Sequence, residues 1–229
     1  MDFHQVRAVD GASEVLVRIK PGDVVPCRWS AVDYVDVRGA DFDRLRTSVA
    51  HAGGNVLPIK VRPTWREIGT DARGELQTVK AFEIVFGYSR LHACYLLGLP
   101  VLAVVEDLSD VQAAEQFAAE FFWDRRWRPW RMSGFVQHVL DYRLYPSIRR
   151  AADGLGMDLE DVSLLNRMAT WPEPLRRALR SVEFTRTHAR RISRFEPETL
   201  ASFTDEGLPY KKRTAAMVMR RLEHLEKRA

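Results

Sequence analysis

The chain has 229 residues, a hydrophobic fraction of 46% and a formal net charge of +4. This composition excludes a disordered chain and provides for one large or two small domains with a real core. The longest apolar run, residues 96–105, is broken by Gly98 and Pro100 and is too short to span a bilayer, and the opening MDFHQVRAVD lacks the apolar core of a signal peptide, so a cytoplasmic protein without membrane segments is expected.

The two cysteines, Cys27 and Cys94, share no short spacing with each other or with histidines, which argues against a disulfide framework or a zinc site. Charge is unevenly spread. Residues 1–110 carry 13 Lys+Arg against 15 Asp+Glu; the remaining residues carry 22 against 16. A basic second half fits a polyanion partner, and it equally fits a set of solvated, arginine-rich helices.

Val15, Val17 and Ile19 alternate ahead of a Lys20-Pro21-Gly22-Asp23 turn and predict a short strand or ordered arm. Asp41 is placed to cap a helix over 42–52, with Phe42, Leu45, Val49 and Ala52 on one face. A strand over 57–62 follows, with Pro58 near its start. Residues 64–77 are polar, with a turn at 71–74, and 79–86 returns as the antiparallel partner. Gly87 ends that strand. Leu91, Cys94, Tyr95 and Leu97 suit one face of a helix over 88–97, which Gly98 closes before a buried strand over 101–105. A glycine turn feeding a helix N-terminus favours an anion there, and Arg90 in the first turn adds a fixed positive charge.

Ser109 and Gln112 form a capping box for a helix over 110–124. The next stretch interleaves Trp123, Trp127 and Trp130 with Arg125, Arg126, Arg128 and Arg131. It reads either as guanidinium–indole packing or as a nucleic-acid surface, with packing favoured for Trp123 and Trp130.

Residues 132–180 read as helical. Ser133 is expected to cap a helix through Tyr142. Ser147 opens a second over 148–155, with Ala151, Ala152 and Leu155 inward. After the turn Gly156-Met157-Asp158, Asp158 caps a third over 159–169, with Val162, Leu165 and Met168 buried. Helix, glycine turn and helix make a helix-turn-helix pattern, whose second helix enters the major groove. The residues expected to face DNA are Ser147, Arg149, Arg150, Leu159, Glu160, Ser163, Asn166 and Arg167, with Arg176 and Arg177 for phosphates. Asp161 and Leu164 fall on the same exposed face. Two acids there oppose the phosphate field, although an acid can accept from cytosine. The alternative is a helical domain that packs or binds protein. A final helix over 215–225, with Ala216, Met219, Leu222 and Leu225 on one side, suits a core cap or a dimer surface.

GYSRLHA at 87–93 resembles the GxRRxxA box of the ParB family of partition proteins: Gly87, Arg90 and Ala93 match, and Ser89 replaces the first arginine. GGNVLPIKVRP at 53–63 is similar to the family's GxxxPIxVRP segment, and 144–179 resembles its helix-turn-helix. The resemblance covers roughly residues 25–180 and is closest to plasmid-type members. It implies an α+β, ParB/sulfiredoxin-like domain over 1–108, a connecting helix and hinge over 109–131, a helix-turn-helix domain over 132–185 and a helical segment over 186–229. It further implies a homodimer on duplex DNA, a ParA-type ATPase as partner, and CTP with magnesium held by Gly87, Arg90, Ala93 and Glu120, the last also facing the metal. In the family's ENxxR box Glu120 takes the glutamate's place, Phe121 the asparagine's and Asp124 the arginine's; Arg125 or Arg126 compensates if the register shifts. These departures imply weak or no CTP binding. The rival readings are a nucleotide hydrolase or nuclease built on the same fold, and a non-catalytic adaptor.

Overall fold

The computed structural model describes residues 15–27, 39–71, 73–120, 129–180, 182–208 and 213–227, and the backbone alone of 3–4 and 121–123. The chain divides into two compact units, Met1–Trp123 and Asp124–Ala229.

The first unit is mixed α+β. Its strands are β1 (Phe3–His4), β2 (Val15–Ile19), β3 (Val24–Val25), β4 (Ile59–Thr70), β5 (Leu76–Phe86) and β6 (Val101–Val105), in the order β1-β2-β6-β4-β5-β3. β4 runs antiparallel to β5 and parallel to β6, and β2 runs antiparallel to β6. Pro58 therefore sits just before a central strand, where its missing N–H costs no ladder bond.

Helices α1 (Ala40–Ala52) and α2 (Tyr88–Leu97) pack with Val61, Ile84, Val101 and Ala103 into one core that includes Phe42, Val49, Ala93 and Cys94. Side chains alternate along strands, so Arg62 and Glu83, next to Val61 and Ile84, point to the opposite face. There α3 (Asp110–Trp123) lies along the sheet. Buried Arg62 donates to Glu83 at 2.6 and 2.9 Å and to the Leu108 carbonyl at 3.1 Å, and pairs with Asp110 at 2.7 Å. Lys60 meets Glu106 at 2.6 Å. These charges fix where α3 leaves the sheet. The Ser109–Gln112 capping box is formed in both directions, at 2.9 and 3.3 Å.

Several expectations are corrected here. Asp41 does not cap α1: the cap residue is Gly39, while Asp41 pairs with Arg44 in the first turn. Ala52 is exposed, so the buried face of α1 ends at Val49. The polar stretch expected over 64–77 is mostly strand, because β4 and β5 run on as a long hairpin closed at the predicted turn.

The second unit is helical: α4 (Pro129–Asp141), α5 (Ile148–Leu155), α6 (Leu159–Ala169), α7 (Glu173–Arg180), α8 (Arg186–Ile192), α9 (Pro197–Ala201) and α10 (Ala215–Glu226). α6 is central, packing on α4, α5 and α8. Ser133 is not a cap: it lies inside α4, buried, and its hydroxyl donates to the Leu165 carbonyl at 2.8 Å. α10 buries Ala215, Val218, Met219 and Leu222. Ala216 is exposed, which turns the expected stripe by about one residue. Trp130, half-buried, stacks on Phe184 with centroids 5.5 Å apart, and Trp171 meets both rings edge-on. The expectations for Trp123, Asp124, Arg125, Arg126, Trp127 and Arg128, and for the Phe121 side chain, lie outside the described residues.

Candidate functional site

In the first unit the site is built where β5 turns into α2. Gly87 caps α2 with φ 99°, and a Cβ there would stand 2.6 Å from Ile59 Cγ2 and 3.1 Å from Ile59 Cα. Only glycine satisfies both the left-handed backbone and the close approach to the first residue of β4. No side chain caps α2, so its first turn presents backbone N–H groups. Arg90, in that turn, donates to the Pro58 carbonyl at 2.6 Å and the Leu57 carbonyl at 3.4 Å, and its other terminal nitrogen donates to Glu120 at 3.2 Å. The guanidinium thus joins the segment before β4, the start of α2 and the last turns of α3.

Gly87 and Arg90 share the start of α2 and Arg90 reaches Glu120, so that Glu120 faces Arg90 rather than an open metal position. Ala93 is corrected: it is fully buried in the core and cannot touch a nucleotide, so its small side chain lets α2 sit down on the sheet. Burial pushes the Cys94 thiol up, beside Asn55, as befits an ordinary core thiol. Among the described residues, no group of three or more His, Cys, Asp or Glu side chains could hold a metal ion, and no described helix is long and apolar enough to cross a membrane.

In the second unit the site is α5, its turn and α6. The Ser147 hydroxyl accepts from the Arg150 N–H at 3.2 Å, and Gly156, φ 65°, closes α5 in the left-handed conformation before α6 begins. Ala151, Ala152 and Leu155 are buried, as the pattern requires. Ser147, Arg149 and Arg150 are exposed at the start of α5; Leu159, Glu160 and Arg167 are exposed along α6, with Ser163 and Asn166 half-buried beside them.

Leu164 and Asp161 depart from expectation. Both are buried, because α6 inserts a broad stripe of Asp161, Val162, Leu164, Leu165 and Met168. Asp161 pairs with Arg186 at 3.0 Å and Arg190 at 3.8 Å, and Arg190 also reaches Glu160 at 3.3 Å. Burial raises the Asp161 carboxyl above its usual range, and the two arginines act against that shift. Asp161 is therefore held inside the fold by its arginines, while Glu160 stays exposed with Arg190 beside it.

Arg176 and Arg177 lie on α7 and are already engaged within the fold. Arg176 pairs with Glu173 at 3.0 Å and donates to the Ala169 carbonyl at 3.4 Å. Arg177 grips Asp205 at 2.7 and 3.1 Å and holds its carboxyl below the usual range.

No protein-family model matches the sequence, and no curated protein matches it. Among solved structures, a Pnob8-like ParB-N domain is similar over 96% of this chain and 99% of its own, with a TM-score of 0.54 and 11% identity. The chain has a ParB-N-like fold. Two structures of the C-terminally truncated chromosome-partitioning protein ParB from Caulobacter crescentus are also similar. The one complexed to the centromeric parS site has a TM-score of 0.47 and 21% identity, covering 93% of this chain and 100% of that one. The one complexed with CTP-gamma-S has a TM-score of 0.34 and 20% identity, covering 89% and 98%.

Within this ParB-N-like fold, sequence reasoning missed Arg186 as a partner of α6, together with α8 itself. The signal was present. Thr185 and His188 form a reciprocal capping box, and Ala189 and Ile192 are spaced for one buried helix face. The His188 ring accepts from the Thr185 N–H at 3.2 Å as the second half of that box.

Proposed function

We propose that this chain is a ParB-type DNA-binding protein that grips duplex DNA through the helix-turn-helix of α5 and α6. The observation that carries this reading is the α5–Gly156–α6 arrangement: alanines are buried at the crossing, while Ser147, Arg149, Arg150 and Arg167 stay exposed on its outer side. In such a motif the second helix meets base edges, and cations around it meet phosphates. Asp161, buried and paired with Arg186, is withdrawn from the groove side of α6, and the exposed Glu160 has Arg190 beside it to lessen its repulsion of phosphate. Arg176 and Arg177, tied to Glu173 and Asp205, are secondary in this role.

The biological role that fits is partition of a plasmid or mobile element, or regulation of its transcription. A homodimer matches the two-fold symmetry of palindromic sites; a ParA-type ATPase is the natural partner, and the cytoplasm the natural location.

The Gly87 turn fits the phosphates of CTP: the first-turn N–H groups of α2 and Arg90 would hold them. The metal side does not fit. Glu120, the acid proposed for magnesium, is engaged by Arg90. Nucleotide binding is therefore proposed to be weak, and no step of the function is routed through magnesium or hydrolysis.

The direct test is a screen of the purified full chain against genomic DNA fragments and labelled nucleotides at defined salt. Enrichment of particular fragments, fading as salt rises, supports the reading. Absence of DNA binding at low salt removes it and favours a non-catalytic adaptor.

A further inference from the structure

β4 and β5 run past the helices of the first unit as a two-stranded ribbon. Pro63 pairs with Phe82, Trp65 with Lys80 and Glu67 with Thr78. Directly opposite residues share a face, and faces alternate along each strand. The face that holds Val61 and Ile84 in the α1–α2 core reaches its margin at Phe82. It then continues outward as Trp65, Lys80, Glu67, Thr78 and Leu76, all exposed, with Trp65 at 63% and Leu76 at 56%. The other face is partly covered: Ala81 is buried, Thr64 and Val79 are half-buried, and Arg66 folds back to donate to the Gly22 carbonyl at 2.7 Å.

A two-stranded ribbon is marginal alone in water, and a tryptophan near the middle of an open face is the side chain that most favours a partner. The charges select which partner. Glu67 and Lys80 occupy diagonal corners of the face on either side of Trp65. A two-fold axis lying in the contact plane, diagonal to the strands, exchanges those corners and leaves Trp65 beside the axis. Two copies laid face to face then set Glu67 of each against Lys80 of the other, with the tryptophans at the centre. That is the self-complementary patch an isologous dimer requires, and the ribbons cross steeply, as orthogonally packed sheets do.

We infer that this ribbon face is a homodimer contact, separate from α10 and independent of DNA or nucleotide. It is tested on the full chain, without DNA, by sedimentation equilibrium. Wild type is expected to dimerise in the micromolar range. Lys80→Glu and Glu67→Lys each weaken dimerisation roughly tenfold by setting like charges together. An equimolar mixture of the two variants recovers wild-type dimerisation, because each supplies the charge the other needs; no effect within one copy can produce that rescue. Trp65→Ser is expected to be monomeric with an unchanged melting curve, since exposed substitutions rarely perturb the fold. A wild type that stays monomeric at high micromolar concentration, or a mixture no tighter than its components, overturns the inference and leaves the DNA reading untouched.

Discussion

Arg90 and Glu120 meet at 3.2 Å, so the one arginine in the first turn of α2 is already paired with a carboxylate from α3. An incoming phosphate competes with that carboxylate. The pair is partly exposed, Glu120 at 47%, so its strength is that of a surface bridge, about 0.2–1 kcal/mol. Glu120→Gln should therefore raise magnesium-free CTP affinity about two- to fivefold, and Arg90→Ala should remove what binding exists. Calorimetry on the wild type should find no low-micromolar CTP binding, and turnover should not exceed background with magnesium and DNA. Low-micromolar affinity in the wild type, abolished in Arg90→Ala, would restore a nucleotide-driven mechanism.

Gly87→Ala combines a left-handed backbone with a Cβ 2.6 Å from Ile59 Cγ2. Strain and overpacking together should cost the first unit about 2–4 kcal/mol. Thermal unfolding of the full chain should show an early transition for Gly87→Ala, while Gly22→Ala, where nothing lies within 4 Å, stays near wild type.

The sequence made this corner legible because two left-handed glycines, Gly87 and Gly98, bracket a helix-period segment between two β-branched runs. The outer hairpin was not legible. Trp65, Glu67, Thr78 and Lys80 are exposed on one face and Arg66 and Gln77 on the other, so no apolar–polar alternation marks strands there. Ser133 read as a cap because its partner, the Leu165 carbonyl, is far away in sequence and only packing supplies it. Leu164 and Asp161 lie beyond the narrow stripe of Val162, Leu165 and Met168 that the sequence marks, and packing on α4, α5 and α8 buries the wider one. The exposure of Ser147, Arg149 and Arg150 on α5 was legible from the cap at Ser147 and the turn at Gly156; the ion pairs from α8 depend on tertiary contact and left no local mark on α6.

Glu106 predicts a pH dependence. The Lys60 ammonium, at 2.6 Å, holds this carboxyl below the usual glutamate range. A depressed folded value means that the stabilisation is present above the unfolded value and is lost as pH falls through the folded one. Glu106→Gln should lower stability at neutral pH by about 1–2 kcal/mol and flatten the acid limb, so that urea midpoints of wild type and variant converge in acid.

Asp161 should behave as a buried charge with defined partners. Arg186→Ala leaves it with Arg190 at 3.8 Å and should cost the second unit about 1–2 kcal/mol. Adding Asp161→Asn should return most of that loss, because the carboxylate that needed the arginine is gone. Equilibrium urea unfolding of the two variants is the check. Additive losses instead of recovery would show that Arg186 acts elsewhere.

The proposed grip of α5 and α6 on duplex DNA is decided by the salt dependence of DNA affinity for the full chain and for Arg149→Ala/Arg150→Ala. Fluorescence anisotropy on a duplex from the fragment screen and on an unrelated duplex should show affinity falling with salt. The double variant should weaken binding to both, and its log–log salt slope should be shallower by about two, one for each phosphate that an arginine no longer neutralises. A folded double variant that binds both duplexes with the affinity and slope of the wild type contradicts the claim.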